Sequence, residues 1–259
     1  MSDALRVAVD AAQAAGRIQQ ERSDNIGKIS FKDEINPVTE VDLLCEKEII
    51  RRIKGEFPDH DILAEESFKT PSGVSESRWI IDPLDGTVNY AHGYPCYCVS
   101  IALEHKKDIV IGIVYNPCLD ELFVAEKGCG VTMNGKAIRV SSIDTLKQSL
   151  LVTGFAYDVA ESRNDNLDHF ARFTKTSQAV RRPGSAAMDL CYVAMGRFEG
   201  FWELKLHAWD MAAGVLIVEE AGGKITRFDG SMFTVYDREI LASNGQVHNA
   251  MIEILKGDL

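Results

Sequence analysis

The chain has 259 residues, 46% of them hydrophobic and 26% charged, with a formal net charge of −11 at pH 7. This length supports one large domain or two closely packed halves, and the composition is that of an ordinary soluble globular protein, with an acidic balance that argues against a nucleic-acid backbone as partner. The six cysteines (Cys45, Cys96, Cys98, Cys118, Cys129 and Cys191) are scattered through a chain too large to need stapling, and the one C-x-C pair lacks a companion at zinc-site spacing, so buried or idle thiols are expected.

The N-terminal stretch lacks a basic start followed by an apolar segment, and no later apolar run approaches a membrane span, so a cytoplasmic protein without a membrane partner is expected. Residues 4–21 are alanine-rich with apolar positions at helical spacing, and residues 41–57 repeat the pattern before Pro58; both predict amphipathic helices. Within Asn36-Pro37-Val38-Thr39-Glu40-Val41-Asp42, Asp42 opens the second helix, where its plainest role is a cap. The strand-like Asp61-Ile62-Leu63 leads into Ala64-Glu65-Glu66-Ser67, a paired acid that on most surfaces is simply solvated.

Trp79-Ile80-Ile81 predicts a buried strand that runs straight into Asp82-Pro83-Leu84-Asp85-Gly86-Thr87. A buried strand does not tolerate two carboxylates at its end unless something pairs with them. Pro83 has no N–H and is expected to end the ladder, while Gly86 permits a tight turn. Asp82, the Leu84 carbonyl and Asp85 can then converge, and hard oxygen donors on a short loop suit Mg²⁺. Taken alone, the hexapeptide fits a capping turn equally well.

From Val99 the texture changes to strands. Residues 99–103 and 109–115 flank a Lys106-Lys107-Asp108 turn, and residues 121–126 and 131–140 follow, the latter broken by an Asn134-Gly135 hairpin signal. In the second half, strand-like runs at 149–155, 179–182 and 198–203 alternate with helical patterns at 167–176, 186–195 and 210–221, and two short strands precede a C-terminal helix. Arg181-Arg182-Pro183-Gly184-Ser185-Ala186 puts backbone N–H groups at a helix start, a natural place for an anion or hydroxyl. Asp210, in His207-Ala208-Trp209-Asp210-Met211-Ala212-Ala213-Gly214, is placed at the start of the next helix, again a cap on its plainest reading. This order suggests layers of helix and sheet with sites at strand ends. A boundary near Lys147 would give halves 1–147 and 148–259, with one single domain left open.

The acidic elements together resemble the inositol monophosphatase family in its bacterial and archaeal branch. The resemblance rests on Pro37–Asp42, Ala64-Glu65-Glu66-Ser67, Trp79 through Asn89, Gly184-Ser185-Ala186-Ala187 and Trp209–Gly214, in the family's order and spacing. It implies an α/β fold in five layers, an αβαβα sandwich, commonly a homodimer and sensitive to Li⁺. It implies two or three Mg²⁺ per active site: Glu65, Asp82 and the Leu84 carbonyl on the first, Asp82 bridging to a second held by Asp85 and Asp210, and Glu65 facing a third. Thr87, supported by Asp42, would orient the attacking water. Gly184, Ser185 and Ala186 would line the substrate pocket beside Asp85, Gly86, Thr87 and Asp210, and Glu203 would hydrogen-bond ring hydroxyls.

Phosphate monoester hydrolysis fits these residues chemically. The uncatalysed reaction is among the slowest known, so a large rate gain is required. Two Mg²⁺ ions can neutralise phosphate oxygens, activate a water and stabilise the leaving alkoxide. Carboxylates rather than imidazoles suit Mg²⁺, so His207, the one histidine in the motifs, is read as structural. The expected substrate is a small polyol phosphate such as myo-inositol monophosphate. Alternatives are a broader sugar phosphatase that includes fructose 1,6-bisphosphate, and a non-catalytic regulatory partner on the same fold, against which the intact Glu65, Asp82, Asp85, Thr87 and Asp210 weigh. Trp202-Glu203-Leu204 and the short segment from Glu66 to Trp79 favour the monophosphatase branch, and the roles of Arg181 and Arg182 stay open.

Overall fold

The computed structural model describes residues 2–23, 29–31, 37–67 and 75–257. Asn36 and part of the segment between Glu66 and Trp79 lie outside them. Seven α-helices stand among the described residues: α1 (Asp3–Arg22), α2 (Glu40–Glu56), α3 (Thr87–Ala91), α4 (Leu167–Thr176), α5 (Ala186–Ala194), α6 (Ala208–Glu220) and α7 (His248–Lys256). The first half builds a seven-stranded sheet whose strands follow one another in chain order, beginning with Asp61–Ala64, Ser77–Asp85, Cys98–His105 and Asp108–Asn116. Only its first pair is parallel. The second half builds a five-stranded sheet in which Leu150–Thr153 lies between Ala179–Arg181 and Gly200–Leu204, all parallel, with Glu239–Ser243 and Lys224–Thr226 added antiparallel.

Three cores hold these sheets between three helix pairs, which gives the five-layer sandwich expected from the resemblance. Strand residues alternate faces, so Trp79, Ile81, Ile101 and Ile113 turn outward onto α1 and α2. Ile80, Ala102, Val114 and Phe123 turn inward onto α5 and α6, which also receive Val152, Phe201 and Ile240 from the second sheet. Leu151, Trp202 and Leu241 face the opposite way, onto α4 and α7. Because α5 and α6 are covered on both sides, they are apolar almost all round, unlike the amphipathic α1. All six cysteines are free, and no described helix is long and apolar enough to cross a membrane.

The strand Ser77–Asp85 departs from expectation at Pro83. Instead of ending there, it continues to Asp85, because three steps from Asp82 to Asp85 oppose two from Ser100 to Cys98. That bulge takes Pro83 out of the ladder, so its missing N–H costs nothing. The Leu84 N–H turns to Asp82 Oδ1 at 3.0 Å, and the Pro83 carbonyl accepts from Gln19 Nε2 of α1 at 2.8 Å. Gly86 follows with φ +96°, and a side chain there would press on the Cys96 carbonyl oxygen. The turn thus starts the short helix α3, which the sequence pattern did not reveal.

Asp42 and Asp210 are also placed differently from expectation. Neither is an N-cap: the caps are Thr39 and His207, and each aspartate is the third residue of its helix, reaching back to the cap's N–H at 2.8 Å and 2.7 Å. The reach-back geometry points both carboxylates inward from the first helical turn.

The α7 end supplies a test of the packing. His248 is fully buried, its ring bonded to the hydroxyls of Thr226 at 2.9 Å and Ser243 at 2.8 Å. Burial, with the Lys224 charge as a smaller contributor, pushes its pKa down to about 4 from the ordinary 6.5. The unfolded chain therefore binds a proton first, so this contribution to stability is complete above pH 6.5 and is lost as pH falls towards 4. Urea unfolding should show the wild type losing about 2 kcal/mol between pH 7 and 5 relative to His248→Gln.

Candidate active site

The bulged strand, α3, the start of α5 and the start of α6 meet around a cleft of about 650 Å³ between the two sheets. Glu65, Asp82, Leu84, Asp85, Gly86, Thr87, Gly184, Ser185, Ala186, Glu203 and Asp210 all line it. Asp42 does not; it lies fully buried behind Thr87.

Each of three aspartates spends one oxygen on the framework. Asp82 Oδ1 accepts from Leu84 N, Asp210 Oδ2 from His207 N, and Asp85 Oδ2 from both Ser185 Oγ at 2.7 Å and Ala187 N at 2.8 Å. The second oxygen of each has no hydrogen-bond donor among the described residues, and none of the three carboxylates has a Lys or Arg within ion-pair reach there. Glu65 is positioned by the parallel pairing of its strand, its N–H bonding the Ile81 carbonyl at 3.2 Å, and by Glu46 Oε2, which accepts from the Glu66 N–H at 2.9 Å.

The electrostatic result is strain of one sign. Burial first, then the charge of Glu65, raises the pKa of both Asp82 and Asp210 well above the carboxylate range. Asp85 is pushed up to about 6 by burial, less than it would be without the Ser185 and Ala187 hydrogen bonds. A divalent cation suits this donor set: unpaired carboxylate oxygens and the Leu84 carbonyl are the hard ligands such an ion takes. Among the described residues, however, no three His, Cys, Asp or Glu side chains already form a ligand set.

Thr87 Oγ1 lies 3.0 Å from Asp42 Oδ1 and 3.0 Å from the Leu84 carbonyl, so its single proton is committed to one of them. Asp42 also takes the Thr39 hydroxyl at 2.5 Å, and burial raises its pKa against these bonds. On the substrate side, Glu203 is buried, and burial, then the Asp85 charge, pushes its pKa up to about 8 while Arg182 opposes the rise.

Several residues that the sequence did not single out complete the site. Asn89 Nδ2 bonds the carbonyls of Cys96 at 2.7 Å and Pro183 at 2.9 Å, tying α3 to the loop before α5. Gly154, Phe155, Ala156 and Tyr157 form one wall, and Lys205 and Arg238 stand beside it. Lys205, at φ +64°, bonds Asp158 and Ser162 through its ammonium at 2.6 Å each and receives the Arg238 guanidinium on its carbonyl at 2.9 Å. His207, read as structural, does cap α6 and stacks on Trp209 at 4.5 Å, yet it is exposed at the rim of the cleft.

The model described as "Inositol monophosphatase family" matches residues 1–257. The chain is 44% identical over 252 residues to an inositol-1-monophosphatase of Synechocystis sp., covering 97% of this chain and 88% of that one. It is 38% identical over 268 residues to a Nus factor SuhB of Pseudomonas aeruginosa, covering 100% and 98%. A solved inositol monophosphatase from Anabaena (Nostoc) sp. superposes with a TM-score of 0.90 at 43% identity, covering 98% and 95%.

The raised pKa of Asp82 has a direct consequence for stability. A group whose folded pKa lies above its unfolded value destabilises the fold when ionised at neutral pH. In a chelating buffer at pH 7, Asp82→Asn should therefore melt higher than the wild type, each kcal/mol relieved being worth roughly 2–4 °C in a chain of this size. Adding Mg²⁺ should raise the wild-type melting temperature and move the variant much less. A lower melting point for the variant in chelator would contradict the like-charge account.

Proposed function

The chain belongs to the inositol monophosphatase family and is a phosphatase, and from that premise we propose that it is a Mg²⁺-dependent hydrolase of myo-inositol monophosphate and similar small polyol phosphates. The observation that carries the reading is the set of three aspartates with one oxygen each fixed by the framework and the other turned to the cleft. Glu65, Asp82, the Leu84 carbonyl, Asp85 and Asp210 would hold the cations. Bound there, the cations would supply neutralisation of phosphate oxygens and an acidified water.

The chain's own residues would do the rest. With its proton committed to Asp42 or Leu84, Thr87 Oγ1 has lone pairs left and can accept a hydrogen bond from an attacking water, fixing its orientation. The buried Asp42 holds that hydroxyl and does not touch substrate. Asp85 pins the first turn of α5 through Ser185 and Ala187, and Ala186, whose N–H belongs to that first turn and needs no intrahelical partner, lines the cleft beside them. Glu203, buried and with its pKa pushed up to about 8, is largely protonated at neutrality and can both donate to and accept from polyol hydroxyls.

A regulatory role beside catalysis draws support from the relative named as a Nus factor. The complete carboxylate set favours hydrolysis as the main task.

Phosphate release from myo-inositol 1-phosphate, fructose 1,6-bisphosphate and a 3′-phosphoadenosine nucleotide, with and without Mg²⁺, tests the reading. The inositol ester should be the best substrate and turnover should vanish without the cation. Thr87→Ala should lower kcat by about a hundredfold, the order for a misplaced nucleophile, while leaving the Mg²⁺ dependence in place. Full recovery of the variant at high Mg²⁺ would place Thr87 among the metal ligands instead.

A further inference from the structure

Gly154 directly follows the strand Leu150–Thr153 and faces Glu203 across the floor of the cleft. A methyl group built on its α-carbon would collide with Oε1, Oε2 and Cδ of Glu203 at once. The carboxylate group therefore lies directly against the glycine's backbone. The backbone conformation of Gly154 does not demand glycine. Its φ is outside the left-handed region, so the backbone is one that alanine adopts without strain.

The contact is held from both sides. Thr153 pairs with Trp202 in the parallel register, and the Thr153 hydroxyl donates to the Trp202 carbonyl. The buried Asn166 locks the same place, its amide donating to the Gly154 carbonyl at 2.8 Å and to Thr153 Oγ1 at 2.9 Å while its carbonyl oxygen accepts from Trp202 Nε1 at 2.8 Å. These bonds fix the main chain on either side of the contact. A side chain at residue 154 would consequently be accommodated by swinging the Glu203 carboxylate, the far end of a flexible side chain, and not by moving the strands.

We propose that Gly154 is a specificity-determining positioning residue: the side chain it lacks is the space that seats the Glu203 carboxylate, and so sets the depth at which substrate hydroxyls are read. The inference rests on the reading of Glu203 as the polyol contact. Gly154 itself touches the substrate's partner rather than the reacting phosphate, so a change there acts on substrate binding and leaves the metal end alone.

The test compares wild type, Gly154→Ala, Glu203→Gln, Glu203→Asp and the double variant Gly154→Ala/Glu203→Asp, each with myo-inositol 1-phosphate and with p-nitrophenyl phosphate, which has no polyol. Gly154→Ala should raise KM for the inositol ester by about tenfold, the order expected for one misplaced hydrogen bond at a buried group, with kcat and the p-nitrophenyl reaction within about twofold of wild type and the melting point unchanged. Shortening the acid makes room for the methyl group, so the double variant should have a lower KM than Gly154→Ala alone. If Glu203→Gln raises KM and Gly154→Ala does not, or if Gly154→Ala damages both substrates equally, the role of Gly154 is overturned while the polyol reading stands. If Glu203→Gln leaves KM unchanged, the polyol reading falls and the role of Gly154 falls with it.

Discussion

Like charges packed at the end of one strand are the constraint around which this structure is arranged. Asp82, Asp85 and Asp210 are drawn into a buried cleft with Glu65 close enough to raise the pKa of all three. Burying unpaired carboxylates is costly, and backbone N–H groups offset only part of that cost here, one oxygen at a time. The oxygen left over on each acid is what makes the site chemically useful. A cation placed among them converts mutual repulsion into shared attraction, and the same cation answers the negative charge of a phosphate monoester in a protein whose net charge is −11.

The five-layer architecture explains how such a cluster is held still. Asp82 and Asp85 stand on a strand buried on both faces, anchored in cores with α1 and α2 on one side and α5 and α6 on the other. Asp210 and Asp42 use one device in two places, the third residue of a helix bonding back to the capping N–H. That device aims a carboxylate and places it near the positive end of a helix. Burial still outweighs these favourable bonds at both positions, since the pKa is raised in each case. The bond from Thr87 to Asp42 then couples the α2 start to the strand end across 45 residues of sequence.

Much of this was legible in the sequence because it depends on local pattern. The helices at residues 3–22 and 167–176, the Asn134-Gly135 hairpin and the acidic motifs all follow from periodicity, turn chemistry and the spacing of carboxylates. What escaped depends on partners far away in the chain. Pro83 could not be seen to sit in a bulge, because the opposing Ser100–Cys98 step and the Gln19 amide that serves its carbonyl come from other elements. Asp42 and Asp210 are a local exception: the caps are Thr39 and His207, three residues earlier, so each aspartate stands inside the first turn rather than at the helix edge. Gly154 carries no motif at all; only the parallel register of Thr153 with Trp202 brings it against Glu203. A glycine at the carboxyl end of a predicted strand was the one available signal.

The central claim is that these carboxylates form a cation site built from the strand bulge and the α6 start. Crystals grown with Mn²⁺ and measured for anomalous scattering test it most directly. The account predicts at least one anomalous peak in the cleft, ligated by the free oxygens of Asp82, Asp85 or Asp210 together with Glu65 or the Leu84 carbonyl. A fully occupied Mn²⁺ elsewhere on the protein, with the cleft carboxylates unligated, would contradict it.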